Sequence, residues 1–199
     1  LIGTAYTKRT SDKSDYFLRA MRYAELAMYT NLRFRSSLES GVSLWDAVSL
    51  LDKEEVEAML FWVTALQYEF KEGMSFPAKV VNIKWLARAL SVLNRIEAVA
   101  PDFGGGGVEV AKVVCYYALP KWLGGSKKLG DKYMNAAVER NNDWLLPRWA
   151  RGKYYYVVTG QAEKSRQDLI WVARQKLDDY QDPYPWRLHF LENAELLIK

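Results

Sequence analysis

Residues 17–28 of this 199-residue chain are FLRAMRYAELAM, and this stretch decides the fold class. Its apolar residues recur at intervals of three and four, which places them on one face of an α-helix. That face consists of Phe17, Ala20, Met21, Ala24, Ala27 and Met28. The pattern predicts one amphipathic helix from Tyr16 to about Leu38, before Gly41.

Similar patterns predict further helices, separated by short breaks. Between Asp52 and Gly73 the apolar residues cover nearly all sides of one helix, which predicts a central position in the core. Asp52 and Glu55 have the spacing of a capping box at its start. Other predicted helices run from Pro77 to Pro101, from Gly107 to Pro120, from about Leu129 to Arg140, from Pro147 to Val158, from Glu163 to Asp179 and from Pro183 through Leu197.

Short turns join these helices, so we expect neighbouring helices to pack as antiparallel hairpins. Each hairpin would span about 35 to 45 residues, which is the period of helical repeat proteins. The predicted fold class is therefore all-α, with antiparallel helical hairpins stacked as degenerate tetratricopeptide-like repeats. We expect a single domain over residues 1–199, in which residues 1–12 form a flexible N-terminal segment.

The composition narrows the function classes. Hydrophobic residues make up 50% and charged residues 26% of the chain, which favours a buried core over disorder. The net charge of +4 is mild, and basic residues are scattered among acidic ones, so we expect no nucleic-acid partner. No run reaches the ~18 apolar residues that a membrane helix needs.

Catalytic and metal-binding patterns are weak. The chain has one histidine, His189, and one cysteine, Cys115, so the usual ligands of a zinc site are missing. His189 is predicted to be a partly buried structural residue, and Cys115 a small core residue. The glycines at 104–107 follow a helix and lack a Gly-Lys-Ser/Thr ending, which predicts a turn rather than a phosphate loop. We expect no enzyme activity, no metal and no cofactor.

One cluster suggests ligand binding. Arg148, Arg151 and Tyr155 are spaced to share one helix face, and Trp144 and Trp149 lie nearby in sequence. Arginine binds a carboxylate through two hydrogen bonds, and aromatic rings exclude water from such a contact. Two interpretations stay open, an organic-acid pocket or solvated arginines beside core rings. The second is favoured, because aromatic stripes at helical spacing usually pack in the core.

A second block of residues carries a family resemblance. It comprises residues 116–120 (YYALP), Leu-Gly-Gly at 123–125, and then Lys128, Tyr133, Ala136 and Ala137. In that order, a tyrosine-rich helix ends in proline, a Gly-Gly turn follows, and a helix of Tyr-x-x-Ala type begins. The block resembles the T-component family of TRAP transporters. The resemblance covers residues 103–177, and its motifs are structural rather than catalytic.

This resemblance implies a periplasmic lipoprotein built from tetratricopeptide-like helix pairs. It implies association with the solute-binding protein of a TRAP system, which imports organic acids, and assembly as a homotrimer with a pore or cavity. The family carries its lipid on an N-terminal cysteine, for which Cys115, in mid-helix, is no substitute. Membrane contact is therefore expected only through a lipid anchor outside these residues.

The predicted function is thus a non-catalytic periplasmic scaffold that binds a solute-binding protein. The alternative is a carrier of a small apolar or carboxylate ligand in an aromatic-lined channel. The residues predicted to bind the partner or ligand are Tyr116, Trp144, Arg148, Trp149, Arg151 and Tyr155.

Overall fold

A computed structural model describes residues 13–198 of the chain. The structure is 78% helical, and no strand occurs within this range. The all-α prediction is confirmed. The flexible N-terminal segment predicted for residues 1–12 lies outside the described residues. No helix between residues 13 and 198 is both long and apolar enough to cross a membrane.

Nine helical segments carry the labels used below. They are α1 (Lys13–Met28), α2 (Leu32–Glu39), α3 (Val56–Tyr68), α4 (Lys84–Val99), α5 (Gly107–Ala118), α6 (Lys127–Arg140), α7 (146–158), α8 (Ala162–Ala173) and α9 (Tyr184–Ile198). Shorter helices are Leu44–Ala47 and Phe76–Val81, and single 3-10 turns include Lys121–Leu123 and Leu177–Asp179.

The described chain divides into two compact units. The first contains the described residues up to Phe103 together with Val114–Lys127, and the second contains Gly104–Val113 and the described residues from Lys128 onward. Helix α5 therefore contributes residues to both. Whether the chain folds as the single domain expected from the sequence stays a prediction, and so does the stacking of antiparallel repeats.

Asn31 divides the helix that was predicted to run from Tyr16 to about Leu38. Its side chain accepts hydrogen bonds from the backbone amides of Arg33 and Phe34, both at 3.1 Å, so α2 begins with its own N-cap. An asparagine in this role satisfies amides that have no partner inside a helix. The continuous helix was therefore a wrong prediction, and α1 ends at Met28.

Helix α3 is the centre of the first unit, as its apolar pattern predicts. It packs against α1 and α4. The capping box is also confirmed. The Asp52 side chain accepts a hydrogen bond from the backbone at Glu55, and the Glu55 side chain accepts one from the backbone amide of Asp52. Phe61, on the remaining side of α3, is 42% exposed. Residues that fill this core include Phe17, Met28, Met59, Trp62, Leu66, Leu93 and Ile96.

The second unit has its own core, where α8 packs against both α7 and α9. Its fully buried members are Leu145, Trp149, Ala150, Leu169, Val172, Phe190 and Ala194. Burial of each large side chain in such a core stabilises the fold by about 1.5–3 kcal/mol.

Helix α7 is not a uniform α-helix. It consists of an α-turn Leu146–Ala150, a π-turn Arg151–Tyr155 and a final turn Tyr156–Val158. A π-turn holds one extra residue, so side chains beyond it are rotated by about 100° relative to a regular helix. A second π-turn, Glu69–Gly73, continues α3.

Candidate functional site

The strongest polar contact near the predicted binding residues joins Arg151 to Asp168 of α8. Arg151 Nε lies 2.6 Å from Asp168 Oδ2, and Arg151 Nη2 lies 2.9 Å from Asp168 Oδ1. Only 17% of the Arg151 side chain and 7% of the Asp168 side chain are exposed. The hydrogen bonds that Arg151 donates to Asp168 raise the pKa of Arg151 above its ordinary value. This two-point pairing occupies the guanidinium edge that a bound carboxylate would need.

Arg148 approaches the same carboxylate but is held differently. Its Nη1 lies 3.9 Å from Asp168 Oδ1, and its guanidinium carbon lies 4.3 Å from the centre of the Trp171 ring. One third of this side chain is exposed. Arg148 and Arg151 thus converge on one buried carboxylate, and we call these three residues the arginine cluster.

The π-turn of α7 packs closely against α8 beside the arginine cluster. Ser165 Oγ donates a hydrogen bond of 2.6 Å to the carbonyl of Gly152 in that turn. A Cβ on Gly152 would lie 3.0 Å from Leu169 Cγ and 3.1 Å from Asp168 Cβ, so the two backbones approach closely here.

The Tyr155 hydroxyl donates a 2.8 Å hydrogen bond to Asp131 Oδ1 of α6, and its charge interaction with Arg151 contributes to the raised pKa of that arginine. It is the neighbouring ring, Tyr156, that lies 5.3 Å from the Arg151 guanidinium. The predicted face of Arg148, Arg151 and Tyr155 assumed a regular helix, and the π-turn between Arg151 and Tyr155 changes the phase.

Trp149 belongs to the core rather than to an open pocket. It is 3% exposed, and its ring packs 4.6 Å from Phe190 and 5.7 Å from His189. The Lys153 ammonium lies 4.5 Å from the Trp149 ring centre and donates a 2.9 Å hydrogen bond to Asn193 Oδ1. The Trp149 ring is thus a core ring, as the favoured interpretation expected, but the arginines are held by Asp168 and are not the solvated side chains of that interpretation.

His189 is half-buried among rings, as expected for a structural histidine. Trp149, Trp186 and Phe190 meet its ring edge-on. Burial lowers the pKa of His189, and the nearby positive charge of Lys153 lowers it further.

Two further predicted residues are Trp144 and Tyr116. Trp144 packs against the backbone of Gly105, which leaves no room for a Cβ there. Tyr116 is buried and belongs to the first unit, whereas the other five predicted residues belong to the second. Cys115, also in the first unit, is a buried free thiol that accepts a hydrogen bond from Gln67 Nε2 at 3.3 Å. The prediction of a core cysteine is confirmed.

Two acidic residues of the second unit were missed by the sequence reasoning. Asp168 lies on the same face of α8 as the buried residues 165, 169 and 172. A single acidic residue on a buried face needs a partner, and this was the available sign of the ion pair. Asp182 is 3% exposed and accepts hydrogen bonds from the backbone amides of Leu145 and Leu146 at 2.6 and 3.2 Å. It thereby caps the start of α7. The pKa of Asp182 is raised above its ordinary value, because burial raises it more than the hydrogen bonds from these amides lower it.

The first unit contains a groove of about 790 Å³ that the sequence did not indicate. Glu55 sits in its wall and accepts hydrogen bonds from Asn31 Nδ2 at 3.2 Å and from the Asp52 amide at 2.9 Å. Other lining residues include Thr30, Leu32, Arg33, Leu50, Asp52 and Glu54. Across residues 13–198, no group of three or more His, Cys, Asp or Glu side chains is arranged to hold a metal ion.

The fold and these contacts define an all-α protein in which the residues of the arginine cluster pair with one another. A comparison with models of known protein families finds no match, and a comparison with curated proteins finds none either.

Proposed function

We propose that this protein is a non-catalytic helical scaffold that binds a partner protein. Its specific form is the T-component of a TRAP transporter, acting in the periplasm on the solute-binding protein of an organic-acid uptake system. The proposal rests on the family resemblance, and one observation in the first unit supports it.

That observation is the turn formed by the block of residues that carries the resemblance. Gly124 has a φ of 94°, a left-handed conformation that suits glycine. Gly125 lies so close to the Leu119 carbonyl that no side chain fits there. The amides of Gly125 and Ser126 donate 3.0 Å hydrogen bonds to the carbonyls of Pro120 and Tyr116. The motif residues therefore close one defined turn, as a structural motif of a family should.

The same turn presents a candidate contact for a partner. Trp122 lies in it and is 73% exposed. Tryptophan is enriched among the residues that contribute most to protein–protein binding, because a large rigid ring fills a pocket at small entropic cost. We assign Trp122 as an anchor for the solute-binding protein.

Binding to TRAP solute-binding proteins of the same cell tests the proposal. Titration calorimetry should detect at least one complex at micromolar concentrations, and Trp122→Ala should weaken it by roughly thirtyfold, as for a strong anchor residue. The matched control is Val158→Ala, which removes an exposed apolar side chain from the second unit and should leave the affinity unchanged. If no solute-binding protein binds, the TRAP assignment is wrong.

The homotrimer and the lipid anchor are further parts of the proposal. Light scattering on the purified chain measures the first directly, because a trimer has three times the 23.0 kDa of one chain. Fractionation of cells that express the full-length gene measures the second, through a membrane-bound, periplasmic fraction.

The groove in the first unit favours a second candidate, carriage of a small ligand. Asp52, Glu54 and Glu55 in its lining suit a cationic amine better than the apolar or carboxylate ligand expected from the sequence. Titration with amines should change the tryptophan fluorescence of the protein, and Glu54→Gln, at an exposed position of the lining, should weaken the change. A flat titration with amines, carboxylates and lipids removes this candidate.

A further inference from the structure

The short helix Phe76–Val81 of the first unit has no buried residue. Three of its large apolar side chains are strongly exposed, namely Phe76 at 78%, Val80 at 58% and Val81 at 80%. At about 100° per residue, Phe76, Pro77, Val80 and Val81 cover one continuous arc of about 140°. The helix thus exposes an apolar face to solvent. We call the helix Phe76–Val81 the apolar helix.

Basic residues border this face, while the nearby acidic residues are directed elsewhere. Lys79 lies beside the apolar arc, is partly exposed and donates a 2.7 Å hydrogen bond to the Lys71 carbonyl, whereas Lys84 is exposed just beyond the helix. Glu69 is 5% exposed and accepts a 2.8 Å hydrogen bond from Ser14 of α1. Glu72 forms a 3.0 Å ion pair with Lys13 and a longer one with Lys71. The surface around the apolar helix is therefore positively charged.

The size of this face distinguishes between two kinds of partner. A stable protein interface buries about 800 Å² on each side. Even a fully buried aromatic residue contributes only about 150–250 Å², so one phenylalanine and two valines fall well short. A lipid surface needs no such area, because an interfacial helix buries its apolar face only about 5–10 Å deep and lysines add attraction to anionic headgroups.

We propose that the apolar helix is a membrane-contact element for an anionic bilayer. Phe76, Val80 and Val81 enter the boundary between headgroups and acyl chains, and Lys79 and Lys84 lie at the lipid phosphates. This contact is independent of the TRAP assignment and of any lipid anchor, since it uses only residues of the first unit described above.

Vesicle flotation with the full chain tests the proposal. The protein should float with vesicles of phosphatidylcholine and phosphatidylglycerol and bind vesicles of pure phosphatidylcholine much more weakly. Phe76→Ser with Val81→Ser should lower the partition coefficient at least about tenfold, because two apolar side chains no longer enter the bilayer. Lys79→Gln with Lys84→Gln should lower binding to the anionic vesicles by roughly thirtyfold.

The matched control is Val157→Ser with Val158→Ser. These valines of the second unit are 63% and 69% exposed, so the change removes similar apolar surface elsewhere. It should leave flotation unchanged, and circular dichroism should show the same helicity for all variants. The proposal is overturned if wild-type protein stays out of the anionic vesicles, if the Phe76 and Val81 changes have no effect, or if those changes instead abolish a dimer seen by light scattering.

Discussion

Asp168 holds the arginine cluster together, because both arginines of α7 reach its carboxylate. A carboxylate with 7% of its side chain exposed has lost most of its hydration, and only well-placed cations offset that loss. Arg151 provides two hydrogen bonds and Arg148 a more distant charge. The pairing therefore holds α7 against α8, and it uses Nε and Nη2 of Arg151 within the protein.

Removal of one member of this pair should be more harmful than removal of both. Asp168→Asn leaves Arg151 without its counter-charge and should lower the free energy of unfolding by roughly 3 kcal/mol, whereas Asp168→Leu with Arg151→Met should recover most of that loss. Urea denaturation measures both. Arg166→Gln, at an exposed position of α8, is the control and should stay within about 0.5 kcal/mol of wild type. A neutral Asp168→Asn would contradict a structural role for the pair.

His189 should make stability depend on pH. Burial lowers its folded-state pKa below the unfolded value near 6.5, so the unfolded chain binds the proton more readily. The contribution of this group is complete above about pH 6.5 and is lost as the pH falls through the window below that value. Chemical denaturation at a series of pH values should show a smaller loss on acidification for His189→Gln than for wild type. Parallel curves for the two proteins would contradict this.

At the scale of the element, the π-turn of α7 determines which side chains meet. Helical periodicity predicted that Arg148, Arg151 and Tyr155 share a face, and the extra residue of the turn directs the Tyr155 hydroxyl to Asp131 instead. A single sequence gives no sign of a π-turn, because its residues have ordinary helical patterns on both sides. Within the turn, the Gly152 carbonyl also accepts a hydrogen bond from Ser165 Oγ of α8.

Gly152→Ala should therefore be destabilising. The new methyl group would lie 3.0–3.1 Å from Leu169, Asp168 and Ser165, which forces α7 and α8 apart at a cost of about 1–3 kcal/mol. Thermal unfolding followed by circular dichroism gives the measurement. Ser165→Ala removes the hydrogen bond without adding bulk and should cost about 1 kcal/mol. A Gly152→Ala protein as stable as wild type would contradict the tight contact between α7 and α8 at this position.

The helices themselves were largely predictable, and their contacts were not. Apolar spacing located the core face of α1, and the Asp52–Glu55 signature located the start of the helical region that leads into α3. The spacing overlooked Asn31, since a cap inside a periodic stretch looks like one more polar residue. Asp168 escaped notice because its partner Arg151 is 17 positions away on another helix. Spacing along one helix carries no information about pairing across two.

At the scale of the whole molecule, one helix is shared. Residues up to Val113 of α5 belong to the second unit and the rest to the first, so the same helix would have to break for the units to unfold separately. We expect a single cooperative transition in which far-ultraviolet circular dichroism and tryptophan fluorescence coincide, and in which calorimetric and van't Hoff enthalpies agree. Two separated transitions would show that the units are independent domains.

The cap that Asp182 provides has a consequence for biosynthesis. The first amides of α7 have their acceptor 36 and 37 positions further along the chain. At usual translation speeds the ribosome adds those residues in about 2 to 7 seconds. During that interval the leading amides of α7 lack this acceptor, so the cap forms only after Asp182 has been added.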